Sequence, residues 1–285
     1  MEKIYKTISE IDELKLIYFE ILDGFSYDVG SSLYIRHFSD KESHLVLQKR
    51  IELSRYYASE GVPHESQLLS NAIENEEWSD EKETQILTLK YLISDNERNL
   101  PNILWQQRPL IENIIKQKKN ELAELLFERK HTLGRNIEDL VDEDVNDFVV
   151  YLSIFKDANL KNHIDKTYDD FQQWEPTKIS ELNNILISQY SKFSEDKIKG
   201  IAILPMFLNK LSYSKDNIGS FLKRPVADLS HHQSYLFSLG VRNLNILGYA
   251  KGNPPDLSLE AKIQDVIQWY DLQYSLNIAK KNQQE

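Results

Sequence analysis

The sequence predicts a mainly α fold, an irregular multi-helix bundle that allows a short N-terminal β-hairpin, and three observations carry that prediction. Glycine (9) and proline (8) are scarce among 285 residues, against average usage of about 7% and about 5%. The turn punctuation that a many-stranded sheet needs is therefore thin. Apolar residues recur at steps of three and four over most of the chain, the spacing of a helix with one buried stripe. A hydrophobic content of 41% with 11% aromatics supplies a core for one large domain or two ordinary ones.

The first 38 residues are the most ambiguous. LKLIYFEIL reads as helix or strand, and SSLYIRHF, after Gly30, has the aromatic and β-branched content of a short strand, so a hairpin is allowed there. Ser39-Asp-Lys-Glu42 is a capping box, which predicts a helix over about 40–59 that Gly61 and Pro63 end. A short helix over Glu65 to Asn75 follows. Trp78-Ser79-Asp80 then leads into another, with Ile86, Leu89 and Ile93 on one face and Pro101 as its close.

The longest helix is expected from near Pro109 to Gly134. Its stripe of Ile111, Ile115, Lys118, Leu122, Leu125, Arg129 and Leu133 repeats at steps of four and three, so it packs along a partner. Asp139 to Phe155 reads as a further helix. Thr177 begins one that carries Ile179, Leu182, Leu186, Tyr190 and Phe193 on one face. Ile198 to Leu211 is apolar nearly all round and reads as one buried helix kinked at Pro205, where an amide is missing and the preceding turn is crowded. Leu259 to Leu276 is the last, with Ile263, Val266, Ile267, Tyr270 and Tyr274 on one side. No internal repeat or low-complexity linker interrupts the series. The organisation expected is an N-terminal segment over 1–38, a helical lobe over 39–160 and a second over 161–285. The polar stretch Lys156 to Glu175 separates the lobes or loops within one domain.

Bulk chemistry narrows the function. Lys and Arg number 34 against 45 Asp and Glu, a net charge of −11, so the global field repels phosphate backbones and anionic membranes. Nucleic acid is disfavoured as a partner, although Lys116-Gln-Lys-Lys119 is a local basic patch. With no cysteine there is no disulfide, thiolate nucleophile or Cys-based zinc site. The absence of a signal-type segment points to a reducing, cytoplasmic setting. The longest apolar runs, such as Ile201 to Leu208, are too short to span a bilayer.

The chemical motifs are partial. Glu128-Arg-Lys-His131 has the spacing that places two di-iron ligands on one helical face, but no other histidine lies three residues after a glutamate. Asp142-Glu-Asp144-Val-Asn146 opens like a calcium loop, yet its sixth position is Asp147 rather than glycine and its twelfth is Ser153 rather than glutamate. It reads instead as a solvated helix face. Gly-x-Gly-x-x-Gly, Gly-Lys-Ser/Thr, Gly-x-Ser-x-Gly and His-Glu-x-x-His strings are absent, and Lys251-Gly-Asn-Pro-Pro255 has too little glycine to cradle phosphate. Neither a cofactor nor a metal is expected, and no catalytic residue is named.

Two aromatic clusters remain. Tyr56-Tyr57 ends one helix and Trp78 opens another, while Tyr235, Phe237, Trp269, Tyr270 and Tyr274 gather near the C-terminus. Such rings fill the wedge between crossing helices or stand as partner-binding anchors. The tail from Lys280 to Glu285 is a further docking end. In Ala227 to Gly240, Ser230-x-x-Gln233 is another capping box, which puts His231 and His232 in the first turn of a helix. Their side chains then diverge by about 100°, so sharing one metal is difficult, and the helix dipole favours neutral imidazole. His232 and Gln233 are kept as an interaction spot.

The run Leu53-Ser-Arg-Tyr-Tyr-Ala-Ser-Glu-Gly-Val-Pro63, Trp78-Ser79, Arg129-x-x-Thr-Leu-Gly-Arg135 and Phe221-Leu-Lys-Arg-Pro-Val-Ala-Asp-Leu-Ser-His-His-Gln233 resemble stretches of helical virion and assembly proteins of large tailed bacteriophages. The likeness is one of helix ends and fillers and carries no active site. It implies a tail or neck component or an assembly chaperone. The function expected is thus non-enzymatic and protein-binding, with Tyr56, Tyr57, Trp78, His232, Gln233, Trp269 and Tyr270 as candidate partner-binding residues. The alternative is an intracellular enzyme whose carboxylate and histidine groups assemble from separate helices.

Overall fold

The computed structural model describes residues 9–100, 103, 107–214, 217–256 and 262–282. Among them are thirteen helices and a small three-stranded antiparallel sheet, a mainly α protein with a short N-terminal hairpin. The helices are α1 (Glu10–Asp23), α2 (Asp40–Ser59), α3 (Glu65–Glu74), α4 (Asp80–Asn99), α5 (Arg108–Leu133), α6 (Ile137–Ser153) and α7 (Tyr168–Gln172). They continue with α8 (Pro176–Tyr190), α9 (Glu195–Ala202), α10 (Pro205–Ser212), α11 (Ile218–Leu222), α12 (His231–Tyr249) and α13 (Ile263–Asn282). The strands are β1 (Phe25–Asp28), β2 (Leu33–Arg36) and β3 (Ile154–Phe155). Two compact units result, one of residues 1–47 with 146–285 and one of residues 48–145. The boundaries fall inside α2 and α6, and the polar stretch 156–175 lies within the first unit.

In the first unit the ambiguous LKLIYFEIL is helical. Ser9 Oγ accepts from the Asp12 amide, and Glu10, Asp12 and Glu13 sit in the positive first turn of α1. Leu14, Ile17, Tyr18 and Ile21 form its buried stripe. Gly24, at φ 77°, ends the helix and sends its amide to Glu20 O and Ile21 O. The hairpin follows at once, with Phe25 opposite Arg36 and Asp28 opposite Leu33. Asp28 tightens the connecting loop by accepting from both the amide and the hydroxyl of Ser31, which hold its carboxyl below the usual range.

The third strand corrects the helix expected over 139–155. α6 stops at Ser153, and Ile154 and Phe155 pair with Ile35 and Tyr34. Beyond them the Asp157 carboxylate gathers the amides of Asn159, Lys161 and Asn162. That turn competes with further helix for the same backbone donors.

Pro205 likewise does more than kink a helix. Leu204 is extended at φ −66°, ψ 131°, as a residue before proline prefers, and Pro205 is the first residue of α10. α9 and α10 are therefore separate helices, and Ile201, Phe207 and Leu211 between them are fully buried with α1, α12 and α13. The α13 stripe of Ile263, Val266, Ile267 and Tyr270 is buried as spaced. Tyr274 departs from it, standing exposed beneath the Arg242 guanidinium. Pro101, Leu259 and the last three residues of the tail lie outside the described residues.

Tyr18 is buried in this core with its hydroxyl unpartnered among the described residues. Burial pushes its ionisation up to about 12. A hydroxyl stripped of water without a replacement bond is costly. Tyr18→Phe should therefore raise stability by about 1 kcal/mol, read as a higher urea midpoint at unchanged slope; a lower midpoint would show that the hydroxyl is satisfied.

The second unit is built on α4 and α5, which run antiparallel: Lys82 pairs with Glu128 while Glu97 pairs with Lys119. Ala72, Trp78, Ile86 and Leu133 form its buried centre, with Leu68, Leu122 and Leu125 packed against it. Arg129 pins three helices, donating to Glu65 of α3 and to Glu83 of α4. Glu83 Oε1 also accepts the Trp78 indole N–H at 2.8 Å. No described helix is long and apolar enough to cross a membrane.

Candidate functional site

The polar groups of the first unit concentrate where the hairpin meets the first turns of α2 and α12. The capping box read at Ser230 is formed in full, and at Ser39 the reach-back of Glu42 is formed while the serine caps Lys41 in place of Glu42. Glu42 accepts from the Ser39 amide, and Ser39 Oγ accepts from the Lys41 amide. Ser230 Oγ accepts from the Gln233 amide, and Gln233 Oε1 from the Ser230 amide. The two caps are neighbours: Ser39 and Ser230 form an antiparallel bridge, and the His231 amide donates to Phe38 O at 2.9 Å. Two helix N-termini thus open at one place.

Gly24 packs closely beside these caps. A Cβ there would lie 2.9 Å from Arg224 Nη1 and 3.3 Å from Gln233 Nε2, on a backbone already in the left-handed region. Gln233 Nε2 instead reaches Leu22 O at 3.0 Å, and Arg224 Nη2 reaches Asp23 O at 3.0 Å. Around these bonds lies an open cleft of about 410 Å³, lined by Arg36, His37, Lys41, Arg224, Asp228 and Gln233 among others. Arg36 lies over the Phe155 ring and donates to Glu42 and to Leu160 O.

His37 is the residue that sequence patterns missed. It is 3% exposed, with its Nε2 2.9 Å from Ser26 Oγ, which in turn is 2.8 Å from Glu20 Oε2. Ser26 has one proton to share. Given to the Glu20 carboxylate, it makes His37 Nε2–H the donor to Ser26 and leaves the Nδ1 lone pair without a partner among the described residues. Desolvation first, then the charges of His232 and Lys192, push the imidazole down to about 3. Ser26 is fully buried, so this row positions a neutral histidine rather than presenting a nucleophile. The three side chains come from α1, β1 and the residue that follows β2, and no local spacing announces them.

The adjacent histidines part company as helical geometry requires. His231 lies outward, its Nε2 2.9 Å from Ser43 Oγ. His232 packs inward, stacked on Phe193 with centroids 4.7 Å apart and edge-on to His37 at 5.4 Å. Its imidazole is held below the usual value by desolvation and then by His231. Among the described residues no three His, Asp or Glu side chains gather to hold a metal. Glu128 pairs with Lys82, while Asp142 pairs with Arg50.

The other candidate residues divide by burial. Trp78, Gln233 and Tyr270 are buried and thus are core and bracket rather than partner-facing groups; the rings pack their apolar surface inside, and the Trp78 indole and the Gln233 amide are bonded there to Glu83 and to Leu22 O. Trp269 is half-buried against the core, edge-on to Tyr270. Tyr56 is exposed, and Tyr57 donates to Asp144 at 2.5 Å; desolvation and that bond push Tyr57 up to about 12. Comparison of the chain with protein families, with curated proteins and with solved structures finds no match.

Proposed function

We propose that the protein is a non-enzymatic protein-binding factor of structural or assembly type. The observation that supports this reading is an outward apolar face on α4 of the second unit. Leu87 and Tyr91, one turn apart on α4, are 65% and 66% exposed, and Phe127 on α5 is 77% exposed. They stand across their helices from the stripes that pack Ile86, Leu89, Ile93 and Ile115 inward. Single exposed apolar residues are ordinary on a protein surface; a Leu-Tyr pair one turn apart, in a unit that also leaves Phe127 almost bare, is what an aromatic anchor of a protein interface requires. Exposed Tyr56 belongs to the same unit. In the setting that the phage resemblance implies, the partners are virion components, and the protein serves as a tail or neck part or an assembly chaperone.

Tagged full-length protein recovered from the cells that make it should carry a fixed set of partner proteins. Changing Leu87, Tyr91 and Phe127 together to glutamate should remove that set while leaving the helical circular dichroism intact. Equal recovery by wild type and variant would overturn the assignment of the face, and recovery of small molecules alone would overturn the protein-binding reading.

A further inference from the structure

We propose that the cleft between the α2 and α12 N-termini binds a small, hydrophilic ligand carrying a phosphate or carboxylate group. At about 410 Å³ the cleft falls within the roughly 300–1,000 Å³ range of small-molecule sites. Its lining is dominated by charged and amide side chains rather than aliphatic ones, which selects for a ligand that is itself strongly polar.

The sign of that ligand follows from which charges are already matched. Lys41 pairs with Asp228, and Arg36 with Glu42, whose other oxygen is held by Ser39. Arg224 forms no ion pair among the described residues; one guanidinium nitrogen is held by Asp23 O, and the others remain to receive an anion. Against it stands the Asp23 carboxylate, exposed at the rim. The balance is tipped by two helices of 20 and 19 residues whose N-caps, Ser39 and Ser230, are bridged to each other. Each contributes about half a positive charge where it opens.

A second observation, independent of the helix ends, points the same way. His37 lines the cleft, is 3% exposed and keeps Nδ1 unpartnered among the described residues. An acceptor left open in a buried residue that lines a polar cavity is a group that a ligand hydroxyl, or the water that accompanies it, would satisfy. The planar fork of Arg224 matches two oxygens of a phosphate or carboxylate at once. Asp23 then favours a ligand that also bears a hydroxyl or amino donor.

Calorimetric titration of the full chain with glycerol 3-phosphate and, separately, with malate tests the proposal and distinguishes its two ligand sources. One saturable site for at least one probe is expected. Arg224→Ala should weaken it by about tenfold or more, the factor that about 1.4 kcal/mol represents, and Lys41→Gln, which also unmasks Asp228, should act in the same direction. Lys178→Ala, at an exposed position on α8, should leave the affinity unchanged. Both Arg224 and Lys41 are exposed, and circular dichroism confirms that each variant is folded. Heat that never saturates with either probe, or an affinity that Arg224→Ala and Lys41→Gln leave intact, overturns the proposal. Neither result bears on the protein-binding face, which lies in the other unit.

Discussion

Acidification from neutral pH is expected to strip stability from this protein faster than from its His37→Phe variant. In the unfolded chain His37 takes a proton near its ordinary value of 6.5, whereas in the fold it stays neutral down to about 3. Between these values the unfolded state binds more protons, so stability falls as pH falls. The contribution is fully present above about 6.5 and is lost progressively down to about 3. Each pH unit is worth up to about 1.36 kcal/mol, so the whole window amounts to about 5 kcal/mol.

The groups that face His37 make that proton unwelcome. Ser26 occupies Nε2, His232 and Lys192 add positive charge, and the Tyr190 and Phe193 rings complete an apolar wall. Glu20 is the compensating carboxylate, but it acts through Ser26 and is itself 3.8 Å from Lys192. Urea unfolding of wild type and His37→Phe at several pH values isolates the effect. Between pH 6.5 and 4.5 the wild type should lose about 2 kcal/mol more than the variant. Parallel pH profiles would mean that His37 is solvated or titrates normally.

Gly240→Ala should cost about 2 to 3 kcal/mol, although alanine is the better helix former by about 1 kcal/mol. Gly240 lies in the middle of α12, and a Cβ there would stand 2.5 Å from Leu211 Cδ2 and 2.5 Å from Phe207 Cε1. Both neighbours are fully buried, so neither side chain can swing away. α12 and α10 would have to separate, opening contacts along both. Chemical denaturation reads the loss directly. Gly248, on the same helix, supplies the control because a Cβ there meets nothing within 4 Å; Gly248→Ala should gain stability by its helix propensity alone. A neutral Gly240→Ala would show that the α10–α12 contact is loosely packed.

The helices were legible because their signals are local. Ser230-x-x-Gln233 announces the start of α12, and the Ile115-to-Leu133 stripe announces which side of α5 faces inward. Both depend on residues within one or two turns. β3 was not legible: Ile154 and Phe155 continue a helical apolar pattern and become strand only because Ile35 and Tyr34 are available to pair with them. Pro205 reads as a kink because sequence alone does not say whether the chain resumes the same axis. The site was the least legible part. The capping pattern marks Gln233 and His232, but Glu20, Ser26, His37 and Arg224 belong to separate elements and share no motif. Trp78 and Tyr270 carry the composition of a binding anchor and the burial of a core residue, a difference that only packing decides.

The unit made of residues 1–47 and 146–285 is interrupted in the chain by the whole of the other unit. During synthesis residues 48–145 leave the ribosome complete, with every partner for their own core already made. The hairpin emerges earlier yet must wait: the outer edge of β2 stays open until Ile154 and Phe155 arrive, and the groove around α1 until α9, α10, α12 and α13 follow. The hairpin, made before the other unit, is therefore sealed after it, and its unpaired strand edge is the nascent polypeptide's point of exposure to misassembly.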